Sequence, residues 1–222
     1  MAAPSLRSSS SAASQTAATF AVTKPTGTVS GDLLLAFQST FLSVGNVPGV
    51  PTNWTLVDRT LYDTDTCDLA CYYLAAGGSE PASYTFNNSS GLSPVSNVWI
   101  LCLSGAATGV ERSSKNTGSG TTATATGVTT DQADEFLAAA FAVGANTGET
   151  ITPNSLTDVG TIGGMSNELD VAYVTQAVAG ASGNKTATLS GSLSWAAMLV
   201  AVRALAATGP AVGTMGLMGV GR

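Results

Sequence analysis

Two short apolar runs, each opened by acidic residues and each preceded by a Thr/Val-rich stretch, recur along the chain: GDLLLAF at residues 31–37 and DEFLAAAF at 134–141. The stretches behind them recur too. VPTNWTLVDRT (50–60) returns as ITPNSLTDVGT (151–161), with Pro51 matched by Pro153 (153 − 51 = 102) and Thr55 by Thr157. CDLACYYLAAGGSEPASYTF (67–86) is answered by ELDVAYVTQAVAGASGNKTATL (168–189), and VSNVWILCLSGA (95–106) by LSWAAMLVAVRAL (193–205). Conserved order with small drifts in spacing is the mark of an internal duplication, here of about five strands per copy, over residues 18–108 and 119–205. A copy of this size, poor in large apolar residues, is marginal as a separate domain. The two copies are therefore expected to share one two-layer core, with the GDLLLAF-type runs as central strands related by a pseudo-twofold.

The periodicity within each copy is that of strands. In ASYTFNN (82–88), Tyr84 and Phe86 point one way and Ser83 and Thr85 the other; TTATAT (121–126) and KTATLS (185–190) alternate likewise. GDLLLAF and NVWILCL (97–103) are apolar on both faces, as strands covered on two sides are. DQADEFLAAAFAV (131–143) passes for a helix by propensity, but its match to GDLLLAF argues for a strand. Gly-, Pro-, Asn- and Ser-rich turns separate the runs. The fold class predicted is all-β: a two-layer antiparallel β-sandwich, jelly-roll-like, flanked by an N-terminal arm (1–17) and a Gly-rich C-terminal arm (206–222).

Composition narrows function. Charged residues make up 10% of the 222, and the net charge is −6, against roughly 25% charged residues in an average soluble domain. The eight Lys and Arg are scattered, so no basic patch exists to neutralise phosphates, and nucleic-acid binding is not expected. The N-terminal segment lacks the apolar core of a secretory signal. WAAMLVAV (195–202) is far short of the roughly 18 apolar residues of a membrane span. Synthesis in a cytoplasm without export by the usual route is expected. Low charge with abundant Ser, Thr, Asn and Gly fits an exposed β-protein solvated by hydroxyls and amides. It also fits a subunit covered by neighbours in an assembly.

Chemistry-bearing motifs are sparse. There is no His, which removes His-based triads, most zinc sites and the usual proton shuttle. No phosphate-binding or dinucleotide loop is present. Asp32, Asp68, Glu80, Glu149 and Asp158 fall in turns or at strand starts, where carboxylates cap turns and blunt edges more often than they hydrolyse glycosides. Asp63, Asp65 and Asp68 supply too few oxygens for a Ca²⁺ loop. No catalytic residue, cofactor or metal is therefore assigned. Cys67 and Cys71, four apart on a strand, are too distant for a mutual disulfide, and Cys102 reads as a small core residue. Trp99 and Trp195 lie in apolar strands, whereas Trp54, beside Pro51, is the candidate for a surface aromatic that stacks on sugar.

VTKPTGTVSGDLLLAF, PTNWTLVDRT, YYLAAGGSEPASYTF and TATLSGSLSWAAMLVAVRAL together resemble a family of small virion structural proteins of tailed bacteriophages, over about residues 20–205. The second copy departs from the pattern at Asp134, Glu135 and Leu156. The resemblance implies a non-enzymatic β-sandwich in the virion: a capsid decoration (cement) protein, homo-oligomeric, with a trimer as the expected state. The alternative is a tail-tip, fibre or adhesin module that binds host glycans through Trp54. Arg7 of the N-terminal arm and Met215, Leu217 and Met218 of the C-terminal arm are the expected assembly contacts with capsid or other virion subunits. A Gly-rich segment needs a partner to offset its ordering entropy, and flexible Met side chains fit irregular grooves.

Overall fold

The chain is built from antiparallel strands, and no helix occurs among the described residues. The computed structural model describes residues 3–14, 17–41, 48–62, 67–88, 95–144, 148–164 and 166–206. The first half contains β1 (Ser5–Ser14), β2 (Thr19–Thr23), β3 (Leu33–Phe41), β4 (Thr55–Tyr62), β5 (Cys67–Ala75), β6 (Ser83–Asn87) and β7 (Val95–Ser104). The second contains β8 (Arg112–Ala125), β9 (Thr129–Thr130), β10 (Glu135–Gly144), β11 (Ile151–Asn154), β12 (Thr157–Gly164), β13 (Asn167–Gln176), β14 (Gly180–Ala181) and β15 (Lys185–Val202). One sheet runs β1-β7-β3-β5-β4 and the other β8-β15-β10-β13-β12, with β11 also on β15. Element by element, the order in the second sheet repeats that in the first.

The match extends to irregularities. The β4–β5 register slips between Leu56 and Asp58, and the β12–β13 register slips between Asp158 and Gly160. These bulges coincide with the matched phrases of the sequence. Asn53 and Ser155 share a positive φ (69° and 58°) just before the matched strands β4 and β12. Gly31 (φ 89°) and Asp134 (φ 61°) do so just before the residues that open β3 and β10. Gly suits that left-handed corner, and Asp is among the few other residues that tolerate it.

Central strands with two apolar faces need covers on both sides, and the structure provides three cores rather than the single one expected. Between the sheets, Leu33, Leu35 and Phe37 of β3 share a core with Ala138, Ala140 and Met198. On the far side of the first sheet, Leu34, Ala36 and Tyr72 are covered by Trp54, Tyr84 and Phe86, the last two carried on the β2–β6 pair. On the far side of the second, Leu137, Phe141 and Leu199 are covered by residues that include Ala123, Ala187 and Leu189. A register shift between Thr188 and Leu193 turns β15 through a corner. Its first part, paired with the end of β8 and with β11, supplies that outer layer, while its second part pairs with β10.

The expected boundaries shift. Residues 5–14, predicted to lie outside the sandwich as an arm, form β1, which pairs with β7 from Ser5↔Ser104 to Ser14↔Ser96. The open edge of β7 offers a full row of backbone donors and acceptors, and these hold a Ser-rich segment that has little apolar surface of its own. The serines add ties to the next segment: Ser8 Oγ donates to the Thr26 carbonyl (2.7 Å) and Ser10 Oγ to that of Thr23. The second half likewise begins at β8 and not near residue 119. Residues 207–222 lie outside the described residues.

Candidate functional site

The residues singled out from the sequence separate widely. Trp54 is 6% exposed, with its ring edge-on to Tyr84 at 5.2 Å and 88°. It is a lid on the outer core and not a surface platform, which corrects the expectation. Leu156, in the same place in the second half, packs on the second outer core. A depression of about 300 Å³ lies nearby, lined by Asn53, Leu74, Glu80, Pro81 and Tyr84 among others. Its carboxylate is committed: Glu80 accepts from the Gly77 N–H (2.6 Å) and the Tyr84 hydroxyl (3.0 Å). Met215, Leu217 and Met218 fall outside the described residues, as do Asp63 and Asp65.

Asp68 is buried, with Oδ2 3.3 Å from Arg59 Nε. Burial pushes its carboxyl up to about 6, and Arg59 offsets only part of this. Asp170 is fully buried and accepts from Thr161 Oγ1 at 2.7 Å. Burial carries it to about 7, with the Thr161 bond pulling down and Asp158 pushing up. All three thiols are free and buried. Burial raises each, Cys67 to about 12 and Cys102 to about 11, so none is an activated nucleophile. Among the described residues, no three His, Cys, Asp or Glu side chains are grouped to hold a metal ion, and no helix is long and apolar enough to cross a membrane.

Arg7 projects from a bulge in β1, between Leu6 and Ser8. Its guanidinium forms a bidentate pair with Asp32, Nε to Oδ2 at 2.9 Å and Nη2 to Oδ1 at 3.0 Å. Asp32 also accepts the Val29 N–H (3.0 Å) and the Cys102 thiol (3.3 Å). Burial pushes this carboxyl up, but Arg7, the Val29 N–H and the thiol outweigh it and hold it below the usual range. The pair fastens β1 to the turn that opens β3. Arg7 is half-exposed along its side chain (37%) yet occupied within the chain.

The second half builds the same corner from different residues. Glu135, fully buried, accepts the N–H groups of Asp131 (3.2 Å) and Gln132 (2.9 Å) through Oε1. The side chain that reaches it from the start of β8 is Glu111, with Arg203 Nη2 3.4 Å from Glu111 Oε1 and Arg112 paired to Asp131 at 3.1 Å. Nothing in the local sequence around Glu111 signals this meeting; the match of Asp32 to Glu135 is the one clue that a partner is needed there. Beside it lies a depression of about 330 Å³, bounded by Val57, Tyr73, Val110, Glu111 and Arg112.

Comparison of the chain with protein-family models, with curated proteins and with solved structures found no match.

Proposed function

We propose that this chain is a structural subunit of a tailed-phage particle, a non-enzymatic capsid decoration protein that stabilises the head by binding adjacent capsid subunits, in groups of three copies. The observation that supports this reading is where the phage-like motif residues fall. Leu33–Phe37, Trp54, Tyr72, Tyr84 and Phe86 are buried, and Gly31 and Asp32 shape the corner before β3. Such a motif specifies a rigid scaffold and no reacting group, and the sparse charge suits surface that is covered in an assembly. The C-terminal segment with Met215, Leu217 and Met218 is the proposed contact with a neighbouring virion subunit. Arg7 is bound to Asp32 and is a poorer candidate for that role than it was as part of a free arm.

Quantitative mass spectrometry of purified particles tests this. Hundreds of copies per particle, with heads lacking the protein losing DNA at lower temperature, is the expected result. Three to a dozen copies, or none, would overturn it. A low copy number would favour the tail-tip or glycan-binding module, whose candidate surface is then the depression beside Tyr84 and Glu80 and not Trp54.

A further inference from the structure

The corner occupied by Arg7 and Asp32 in the first half holds two acids in the second. The register makes the places equivalent: Ser8 lies opposite Cys102, and Arg112 opposite Ala201, while Cys102 and Ala201 lie opposite Leu34 and Leu137 of the matched central strands. Arg7 and Glu111 each precede that matched position. Glu111 is fixed there by its own N–H, which donates to the Ala201 carbonyl at 3.0 Å.

The hydrogen-bond inventory of this corner is short of donors. Glu135 Oε1 takes two N–H groups, but its Oε2 and both oxygens of Glu111 are buried with no hydrogen-bond partner among the described residues. The Glu111 side chain is 1% exposed. Arg203 lies near Glu111, but without hydrogen-bond geometry, and is 42% exposed. Arg112 is spent on Asp131 at the surface. Across the adjoining depression stands Tyr73 of β5, which brings no positive charge. Buried carboxylate oxygens are rarely left without a donor. Arg203 reaches a single Glu111 oxygen, from the surface and without a hydrogen bond, so a carboxyl proton is left to supply the missing bond between the two acids.

We propose that Glu111 is protonated and donates an O–H···O bond to Glu135, and that this bond is a pH-sensitive clasp fastening the start of β8 to the start of β10. Burial and then the contacts with Glu135 and Asp131 raise the Glu111 carboxyl to about 7, against a smaller pull downward from Arg203. The clasp is thus whole at mildly acidic pH and is lost as pH rises through neutrality, because ionisation of Glu111 removes the donor and leaves a charge in a dry corner. What it holds is the junction between the halves. Residues 105–111 connect them, and the last described residues are tied to that connection, Ala107 N–H to the Arg203 carbonyl (2.9 Å) and Leu205 N–H to that of Gly105 (2.8 Å). Opening the clasp loosens both together.

Hydrogen exchange of the intact protein, corrected for intrinsic base catalysis, tests the clasp. Between pH 5 and pH 8, peptides covering 105–114 should exchange faster by on the order of tenfold or more in the wild type and stay level in Glu111→Gln, which cannot ionise. Peptides covering 3–10, at the Arg7 corner, should stay level in both. Equal corrected pH dependence in the wild type and Glu111→Gln would overturn the proposal. Should the variant fail to fold, NMR of wild-type protein labelled at the glutamate carboxyl carbons decides. A glutamate that titrates near neutrality is required, and completion of every glutamate titration below about pH 5.5, within reach of the ordinary range, would also overturn it.

Discussion

Asp32 and Glu135 cap the same turn in the two halves of this chain, each accepting the N–H of the residue three positions earlier, Val29 at 3.0 Å and Gln132 at 2.9 Å. The first acid is paired with Arg7, which helps hold it below the usual range; the second lies beside Glu111, whose own carboxyl is raised to about 7.

At the first corner, Arg7→Ala leaves Asp32 buried without its cation. The folded-state value of Asp32 is depressed, so its contribution is present above the unfolded value, near 3.8, and is lost as pH falls through the folded one. The variant should begin to unfold at a higher pH on acid titration than the wild type, as followed by circular dichroism. An unchanged acid midpoint would mean that β1 is held by its backbone pairing with β7 alone.

Asp68 and Asp170 carry the opposite sign. Their values are raised, to about 6 and about 7, so stability is highest while they are protonated and declines as pH rises through that window. With Asp32 losing its contribution below the unfolded value of 3.8 and these two acids losing theirs above it, urea denaturation midpoints should peak on the acidic side, near pH 4. Asp170→Asn should flatten the decline between pH 5 and pH 8.

Trp54→Ala opens a hole over the first outer core and should cost about 3–5 kcal/mol in urea unfolding, as large aromatic truncations in cores do. A loss below about 1 kcal/mol, the range of ordinary surface substitutions, would return Trp54 to the surface.

Separation of the halves at the junction exposes the inner faces of both sheets, with Leu33, Leu35, Phe37 and Leu103 on one side and Phe136, Met198, Val200 and Val202 on the other. Residues 3–106 and 107–206, expressed apart, should each aggregate or lack a cooperative melt, and co-expression should restore a soluble complex. A sharp thermal transition from a monomeric half would show that its outer core suffices.

Much of this architecture was legible because β-structure writes its side-chain alternation directly into the chain. Ala187 and Leu189 on one face, NVWILCL covered on two sides, and DEFLAAAF as a strand instead of a helix all follow from period and recurrence. What covers each face was not legible, since alternation says that a residue is buried but not against what. Trp54 sits in a turn whose exposure depends on Tyr84 and Phe86, brought over it by the β2–β6 pairing. The Ser-rich start of the chain has little apolar surface and reads as an arm; backbone pairing to the edge of β7, which no side-chain pattern records, makes it a strand. The sequence alone determined the central strands, their recurrence and the acids at the strand starts. Only the tertiary structure decided that Asp32 would find Arg7 and Glu135 would find Glu111, because those partners lie on other strands and are joined by sheet register and not by spacing along the chain.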